Sequence, residues 1–148
     1  MAGAAREVLT VNFTLQDGSA VHRLKLSVGE VLHIGRASWN AVVVDDGSVS
    51  AFHTELSTAA VAGDKLSVWA RDLSRNGTGV ADAASNGGQP RRLSPEAAEE
   101  LADGSALVLP LRCRGKALED GKRRRLALRL GTVALEVRQL APNAAAAS

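Results

Sequence analysis

The chain has 148 residues, of which 45% are hydrophobic and 23% are charged, and its formal net charge is +2 at neutral pH. This length accommodates one domain with a hydrophobic core but not two, and the composition is typical of globular proteins. No apolar run is long enough to cross a membrane, and the single cysteine excludes an internal disulfide.

The N-terminal sequence MAGAAREV has no basic segment followed by an apolar one, so it does not predict a secretory signal. The lone Cys113 is typical of a reducing compartment. We therefore expect an intracellular protein of the nucleus or the cytoplasm.

Hydrophobic residues alternate with polar ones in the first strand-like segment. In VLTVNFTL (residues 8–15), every second residue from Leu9 to Leu15 is apolar and the residues between them are polar. The same period of two recurs at residues 24–26, 32–34, 42–44, 66–70, 126–130 and 133–137. This period indicates half-buried β-strands.

Glycine-containing turn signals separate these segments: Asp17-Gly18, Val28-Gly29, Asp46-Gly47, Gly63-Asp64, Asn76-Gly77 and Gly131. Glycine, asparagine and aspartate tolerate the left-handed backbone angles that tight turns require. Many short strands with regular turns predict an all-β sandwich or barrel.

One stretch, residues 94–101, has a helical pattern. Ser94 is a suitable N-cap, Pro95 suits the first helical position, and three glutamates precede Leu101. We expect a short helical insertion there. The whole chain is interpreted as a flexible N-terminus (1–6), one domain (7–140) and a disordered alanine-rich tail (141–148).

Ser50 and His53 lie three residues apart in SVSAFH and raise the question of catalysis. A serine nucleophile requires a base and an oxyanion hole, commonly at a strand-to-helix elbow, and no G-x-S-x-G surrounds Ser50. The three histidines are scattered and form no zinc pattern. The sequence predicts no enzyme, no metal site and no cofactor.

Binding is better supported, because three polar loops lie between the apolar segments. They are GRASWN (35–40), SVS (48–50) and SRNG (74–77). Arginine supplies a rigid fork of donors for an oxyanion and serine adds a short donor. The loops therefore predict a site for a phosphate group.

The motifs in these loops resemble the signature of the forkhead-associated (FHA) domain. IGR (34–36), SVSAFH (48–53) and DLSRNGT (72–78) follow in the order Gly-Arg, Ser-x-x-His and Asp-x-Ser-x-Asn-Gly-Thr, with strand-length gaps. The resemblance covers about residues 8–140. It implies an eleven-stranded β-sandwich whose apical loops bind phosphothreonine peptides of a partner protein, as a non-catalytic recruitment module.

The resemblance also implies roles for individual residues. Arg36, Ser50 and Arg75 would face the phosphate, and Asn76 would bond the peptide main chain. Ser38 and Asn40 join this phosphopeptide-binding set as polar residues of the first loop. The residues expected to support the site are Gly35, His53, Asp72, Ser74, Gly77 and Thr78.

Each assignment has a structural alternative. Arg36 could form a surface salt bridge, Ser50 could cap a turn, and Asn76-Gly77 could be only a tight-turn pair. Trp39 could contact residues beside the phosphate or attach its loop to the sandwich. In Ala51 the chain departs from the polar residue that often follows the family's serine, so we expect weaker or altered selectivity.

Two other functions remain open from the sequence. The domain could be an FHA-fold scaffold that binds partners or a second copy without phosphate. Nucleic acid, through the basic run at residues 122–125, is less favoured because short charge runs are usually solvated strand ends. We expect a monomer, with a homodimer as the alternative, and no membrane contact.

Overall fold

The computed structural model describes residues 5–62, 65–82 and 89–139. Within these residues, thirteen strands and one 3₁₀ turn (Asp120–Lys122) follow one another. The strands are β1 (Ala5–Asp17), β2 (Ala20–Ser27), β3 (Val31–Gly35), β4 (Val42–Val43), β5 (Thr54–Ala62), β6 (Lys65–Asp72), β7 (Gly79–Ala81), β8 (Arg91–Arg92), β9 (Glu99–Leu101), β10 (Ala106–Leu109), β11 (Arg112–Cys113), β12 (Lys116–Ala117) and β13 (Arg124–Gln139).

The strands form two main sheets and one small hairpin. The six-stranded sheet has the order β2-β1-β13-β10-β7-β8, and the five-stranded sheet has the order β4-β3-β5-β6-β9. Strands β11 and β12 pair only with each other. The two main sheets together contain eleven strands, which confirms the predicted all-β, eleven-stranded sandwich.

The core lies between the two sheets. Phe13 and Leu15 of β1 and Leu56 and Val68 of the opposite sheet belong to one buried cluster. Burying each such side chain stabilises the fold by about 1.5–3 kcal/mol. The period-two pattern of the sequence therefore marks the inner faces of the sandwich as far as Leu130. The prediction of a half-buried segment at residues 133–137 is wrong, because Leu135 and Val137 are 61% and 69% exposed.

The turn predicted at Gly131 is wrong, because β13 continues through it. Val11 pairs with Val133 and Phe13 with Leu130, so two residues of β13 lie opposite Asn12 in a β-bulge. A Cβ on Gly131 would lie 2.8 Å from the Asn12 carbonyl oxygen. The bulge explains why the apolar positions change phase after residue 130.

The helix predicted around residues 94–101 is also wrong. The Glu96 N–H donates to Ser94 Oγ at 3.0 Å, but the chain then bends and enters β9. Strand β9 pairs with β6, and Leu101 is buried against the core. Completing the edge of the second sheet therefore overrides the local helical pattern.

The described residues include the predicted start of the domain but not its predicted C-terminal tail. Strand β1 begins at Ala5, two residues before the predicted domain start at residue 7. The predicted tail at 141–148 and the turn at Gly63-Asp64 lie outside the described residues. In the described ranges no helix has the length and hydrophobicity that crossing a membrane requires.

Candidate functional site

A polar cleft forms where the β3–β4, β4–β5 and β6–β7 loops meet. It has a volume of about 310 Å³, and its lining includes Arg36, Ser50, Arg75 and Asn76. These are four of the six predicted phosphopeptide-binding residues. The structure thus brings together residues that are up to forty positions apart in the sequence.

Two guanidinium groups line this cleft. Arg36 and Arg75 are both exposed, and neither forms an ion pair with a carboxylate of the described residues. The surface salt bridge considered for Arg36 is therefore not observed among the described residues. Two positive charges in one cleft favour an anionic ligand.

Ser50 links the second loop to the third. Its Oγ accepts a hydrogen bond from the Arg75 main-chain N–H at 3.2 Å. A hydroxyl has one donor and two acceptor positions, so this bond leaves the Ser50 O–H available as a donor. Ser50 can hold the loops together and donate to an oxyanion at the same time.

Asn76 is held in place by the same loop. Its Nδ2 donates to the Ser48 carbonyl oxygen at 2.8 Å. The Asn76 amide oxygen has no donor among the described residues, so it can accept a hydrogen bond from a ligand. The protein thus positions the Asn76 side chain through Nδ2, and its Oδ1 can bond to a peptide main chain.

His53 lies fully buried beneath the cleft. Its Nδ1 accepts from the Ser50 main-chain N–H at 3.0 Å, and its Nε2 donates to the Gly77 carbonyl oxygen at 2.9 Å. These partners define a neutral imidazole with its proton on Nε2. Burial lowers the pKa of His53 from its usual 6.5.

The bonds of His53 also decide the question of a Ser–His pair. His53 bonds the backbone N–H of Ser50, and both imidazole nitrogens have backbone partners. The imidazole therefore has no nitrogen left to activate the Ser50 hydroxyl. It connects the second and third loops from below.

A buried carboxylate organises the third loop. Asp72 is fully buried, and its Oδ1 accepts from the Ser74 N–H at 3.0 Å, the Ser74 hydroxyl at 2.5 Å and the Thr78 hydroxyl at 3.0 Å. Ser74 Oγ also accepts from the Gly77 N–H at 2.7 Å. The spacing Asp-x-Ser-x-x-Gly-Thr is therefore that of one closed hydrogen-bonded loop.

Two glycines allow the loops to approach closely. A Cβ on Gly35 would lie 2.2 Å from the Ala51 carbonyl oxygen, which is far inside van der Waals contact. The neighbouring Arg36 N–H donates to the Ser50 carbonyl oxygen at 3.0 Å. Gly77 has φ of +91°, a left-handed conformation that favours glycine.

The remaining two predicted ligand residues do not line the cleft. Ser38 is exposed on the first loop, outside the cleft lining. Asn40 is largely buried, and its Nδ2 donates to the carbonyl oxygens of Ala37 and Ala51 at 2.8 and 2.7 Å. Asn40 therefore braces the first loop against the second.

Trp39 remains at the surface instead of attaching its loop to the core. It is 72% exposed and its ring lies 6.0 Å from that of Phe52, which in turn contacts the ring of His33 at 5.1 Å. The two exposed aromatic rings form a small apolar surface next to the first loop.

A second cleft, missed by the sequence predictions, adjoins the first. Its volume is about 590 Å³, and its lining includes Arg75, Arg92, Arg112 and Arg114. Ser48 lines both clefts. The alternation Arg112-x-Arg114 is the sequence signal that could have indicated this cleft.

The basic run at residues 122–125 is partly engaged within the protein. The Arg123 guanidinium donates to the Leu111 carbonyl oxygen at 3.1 Å, and Arg124 pairs with Asp17 at 2.7 Å. These bonds reduce the number of free cations that a nucleic acid could contact.

A family model for the FHA domain matches residues 32–109, which is more than half of the chain. The chain belongs to the FHA family. The matched residues include all three loops of the polar cleft, so the cleft lies within the part of the chain that matches the family.

Solved FHA structures share the fold at low sequence identity. The MEK1 FHA domain, solved with a HOP1 phosphothreonine peptide, is 15% identical with a TM-score of 0.57, covering 81% of this chain and 97% of its own. The N-terminal FHA domain of Saccharomyces cerevisiae Rad53p, solved with a phosphothreonine peptide, is 13% identical with a TM-score of 0.57, covering 81% and 94%.

A third similar structure is Mycobacterium tuberculosis EmbR, solved in complex with a low-affinity phosphopeptide. It is 21% identical with a TM-score of 0.53, and the match covers 82% of this chain and 25% of EmbR. Among curated proteins, no sequence matches this FHA domain significantly. At these identities the structural matches show the fold alone.

Proposed function

We propose that this FHA domain binds a phosphothreonine-containing segment of a partner protein and recruits that partner without catalysis, in the nucleus or the cytoplasm. The observation that carries the proposal is the cleft in which Arg36 and Arg75 are exposed beside Ser50 and Asn76. The FHA domains of MEK1 and Rad53p, which share the fold, were solved with phosphothreonine peptides.

The chemistry of the cleft matches a phosphate monoester. Such a group carries about −1.5 to −2 charges at neutral pH and has three acceptor oxygens. Arg36 and Arg75 supply charge and donors, and the Ser50 hydroxyl supplies one more donor. Asn76, held by Ser48, then accepts or donates at the peptide main chain beside the phosphate.

The cleft is small, so the expected affinity is modest. Few residues contact the ligand, and association itself costs several kcal/mol, which gives a Kd on the order of 1 μM, or about −8 kcal/mol. The methyl group of Ala51, which also lines the cleft, cannot donate to the phosphate. A polar residue at position 51 would add a donor that Ala51 lacks, so we expect a Kd of about 1 μM or weaker.

A titration of three matched peptide pools tests the proposal. The pools carry phosphothreonine, phosphoserine or unmodified threonine at one fixed central position, with random uncharged flanks. We expect binding of the phosphothreonine pool to exceed that of the other two by at least tenfold. Equal binding of all three pools would contradict the proposal and favour a phosphate-independent contact through a sheet face.

A pair of arginine variants locates the site. Arg36→Ala removes a cleft cation, whereas Arg23→Ala removes an exposed cation from β2, at the opposite edge of the first sheet from β8. We expect Arg36→Ala to weaken phosphothreonine binding by at least tenfold and Arg23→Ala to leave it within twofold. Equal effects of the two variants would place the site elsewhere.

A further inference from the structure

A groove lies on the outer face of the six-stranded sheet, where strands β1, β2 and β13 run side by side. It has a volume of about 500 Å³, and its lining includes Thr14, Arg23, Lys25 and Arg129. No aspartate or glutamate of the described residues lines it. This outer groove shares no lining residue with the polar cleft, so it is a separate site.

Three of the lining side chains form one row across the three strands. Thr14 pairs with Arg23 of β2 on one side and with Arg129 of β13 on the other. Phe13 and Leu15, the neighbours of Thr14 in β1, are buried in the core, so the row faces away from the core. Two strand spacings separate the arginines, which places their Cα atoms about 10 Å apart. Side chains as long as arginine can therefore reach one anion above Thr14.

The donors of this row are unused within the described part of the chain. Arg23 and Arg129 are exposed, and neither forms a side-chain hydrogen bond or an ion pair there. The Thr14 hydroxyl has no hydrogen-bond partner there either. Asp103, beside β13, accepts from the Leu130 N–H at 2.8 Å and does not pair with Arg129. The row thus offers a ligand two positive charges and a hydroxyl.

The third cation of the outer groove already has a carboxylate partner. Lys25 Nζ lies 3.1 Å from Oε2 of Glu136, a residue of the same β13 strand. Arg23 and Arg129 have no equivalent partner among the described residues. Gly131, which also lines the groove, adds no side chain to fill the space beside them. An acidic side chain from outside the domain would complete this pattern of ion pairs.

A carboxylate on an extended protein segment fits the outer groove best. The guanidinium fork of arginine matches a carboxylate, and a hydroxyl adds a short donor. The volume exceeds what one carboxylate fills, so residues that flank it also fit. The aromatic residue of the lining, Phe13, is only 2% exposed and offers no ring for a base to stack on. Charge complementarity without stacking therefore favours an acidic protein over a single-stranded nucleic acid.

We propose that the outer groove binds an acidic, unphosphorylated segment of a partner protein, with one carboxylate held by Arg23, Arg129 and the Thr14 hydroxyl. This inference does not rest on the proposed function, because the outer groove and the polar cleft have no lining residue in common. One domain can then hold an acidic segment and a phosphothreonine segment at the same time.

Two unphosphorylated peptide pools test the inference on the full chain. One pool has aspartate or glutamate at alternate positions, and the other has asparagine or glutamine at the same positions. We expect the acidic pool to bind at least tenfold more tightly than the amide pool. Its affinity should fall as salt is added, because the arginines are exposed. Equal binding of the two pools would overturn the inference.

Matched variants locate the binding of the acidic pool. Arg23→Ala/Arg129→Ala should weaken it at least tenfold, and Thr14→Val, which removes only the hydroxyl, should weaken it roughly tenfold. Lys65→Ala/Lys116→Ala removes two exposed cations elsewhere and should leave it within twofold. The melting temperatures of all three variants should match the wild type. Equal losses in the two double variants would show that net charge alone attracts the acidic pool.

The outcomes also separate this inference from the proposed function. Saturation with the phosphothreonine pool should leave the affinity for the acidic pool unchanged, and direct competition would place both ligands in the polar cleft and overturn the outer groove. Phosphothreonine binding without binding of the acidic pool would overturn this inference alone. Tighter binding of a mixed-sequence oligonucleotide or of phosphatidylserine vesicles through Arg23 and Arg129 would overturn it in favour of nucleic acid or membrane.

Discussion

The buried imidazole of His53 accepts a hydrogen bond from the main-chain N–H of Ser50, with 3.0 Å between nitrogen and Nδ1. Through Nε2 the same ring donates to the carbonyl oxygen of Gly77, 2.9 Å away. One neutral side chain thus sets the positions of two loops that form the polar cleft. Protonation of Nδ1 would place a second donor against the Ser50 N–H and break this connection.

The first prediction concerns the pH dependence of His53. Its pKa is lowered from 6.5 by burial, so the unfolded chain takes up a proton at a higher pH than the folded one. The free energy of unfolding should therefore fall as pH decreases below 6.5, until the folded-state pKa is passed. Above 6.5 the His53 contribution is fully present and independent of pH.

Imidazole resonances followed by NMR between pH 8 and pH 5 measure this directly. His53 should titrate below 6.5, and the amide resonances of Ser50 and Gly77 should shift with it. The pH dependence of unfolding in His53→Gln, which retains the other two histidines, should lack the corresponding decrease. A His53 midpoint at or above 6.5 would contradict the tautomer and the burial described above.

The second prediction is that Gly35→Ala is strongly destabilising. The added methyl would lie 2.2 Å from the Ala51 carbonyl oxygen, so strand β3 and the β4–β5 loop must separate. Overpacking of this kind costs about 1–3 kcal/mol. Gly47→Ala is the matched control, since its Cβ meets nothing within 4 Å. Urea unfolding should show a loss for Gly35→Ala alone, and equal midpoints would refute the close approach.

The third prediction separates two serines of the neighbouring loops. Ser50→Ala removes a hydroxyl that lines the cleft, and hydrogen bonds to charged groups contribute about 1.5–3 kcal/mol. Phosphothreonine affinity should therefore fall by roughly 10- to 100-fold. Ser38→Ala makes the same chemical change outside the cleft, so its affinity should match the wild type. Isothermal titration of both variants measures the two affinities. A larger loss of affinity for Ser38→Ala than for Ser50→Ala would contradict this prediction.

The fourth prediction concerns the buried carboxylate of Asp72. Asp72→Asn keeps the shape but removes the charge that accepts from Ser74 and Thr78 and faces Arg92. We expect a loss of about 1–3 kcal/mol in the free energy of unfolding, together with weaker phosphothreonine binding. Asp45→Asn, at an exposed position, should change neither quantity. An unaltered Asp72→Asn protein would show that the third loop does not depend on this charge.

Local sequence patterns predicted part of the sandwich, including β1, β2, β3 and β6, but not β5, β7, β8 and β9. Strand β1 was predicted because an alternating segment can bury only one face, and that face is defined by residue spacing alone. The motifs of the three cleft loops could also be recognised in the sequence. Asp72 and Gly77 have roles that follow from geometry within a few residues, whereas Gly35 is required by its approach to Ala51, sixteen positions away. Arg36, Ser50, Arg75 and Asn76 were assigned from the resemblance to the FHA family, and their ligand roles stay predictions.

Local patterns failed where a distant strand decided the outcome. Residues 94–101 have helical capping signals, yet β9 forms because β6 offers an unpaired edge. Gly131 has the composition of a turn, yet the register opposite Asn12 makes it a bulge. In both cases, pairing with a strand far away in the sequence outweighs a preference worth only a fraction of a kcal/mol per residue.

By itself, the sequence determined the buried faces of several strands and the motifs of the three loops, because each depends on short-range spacing, and the order of these motifs indicated the FHA family. The tertiary structure alone decided that Asn40 braces a loop, that His53 bonds backbone on both sides, and that Arg92, Arg112 and Arg114 surround a second cleft. These relationships join residues many positions apart, and their geometry exists only once the two sheets have packed.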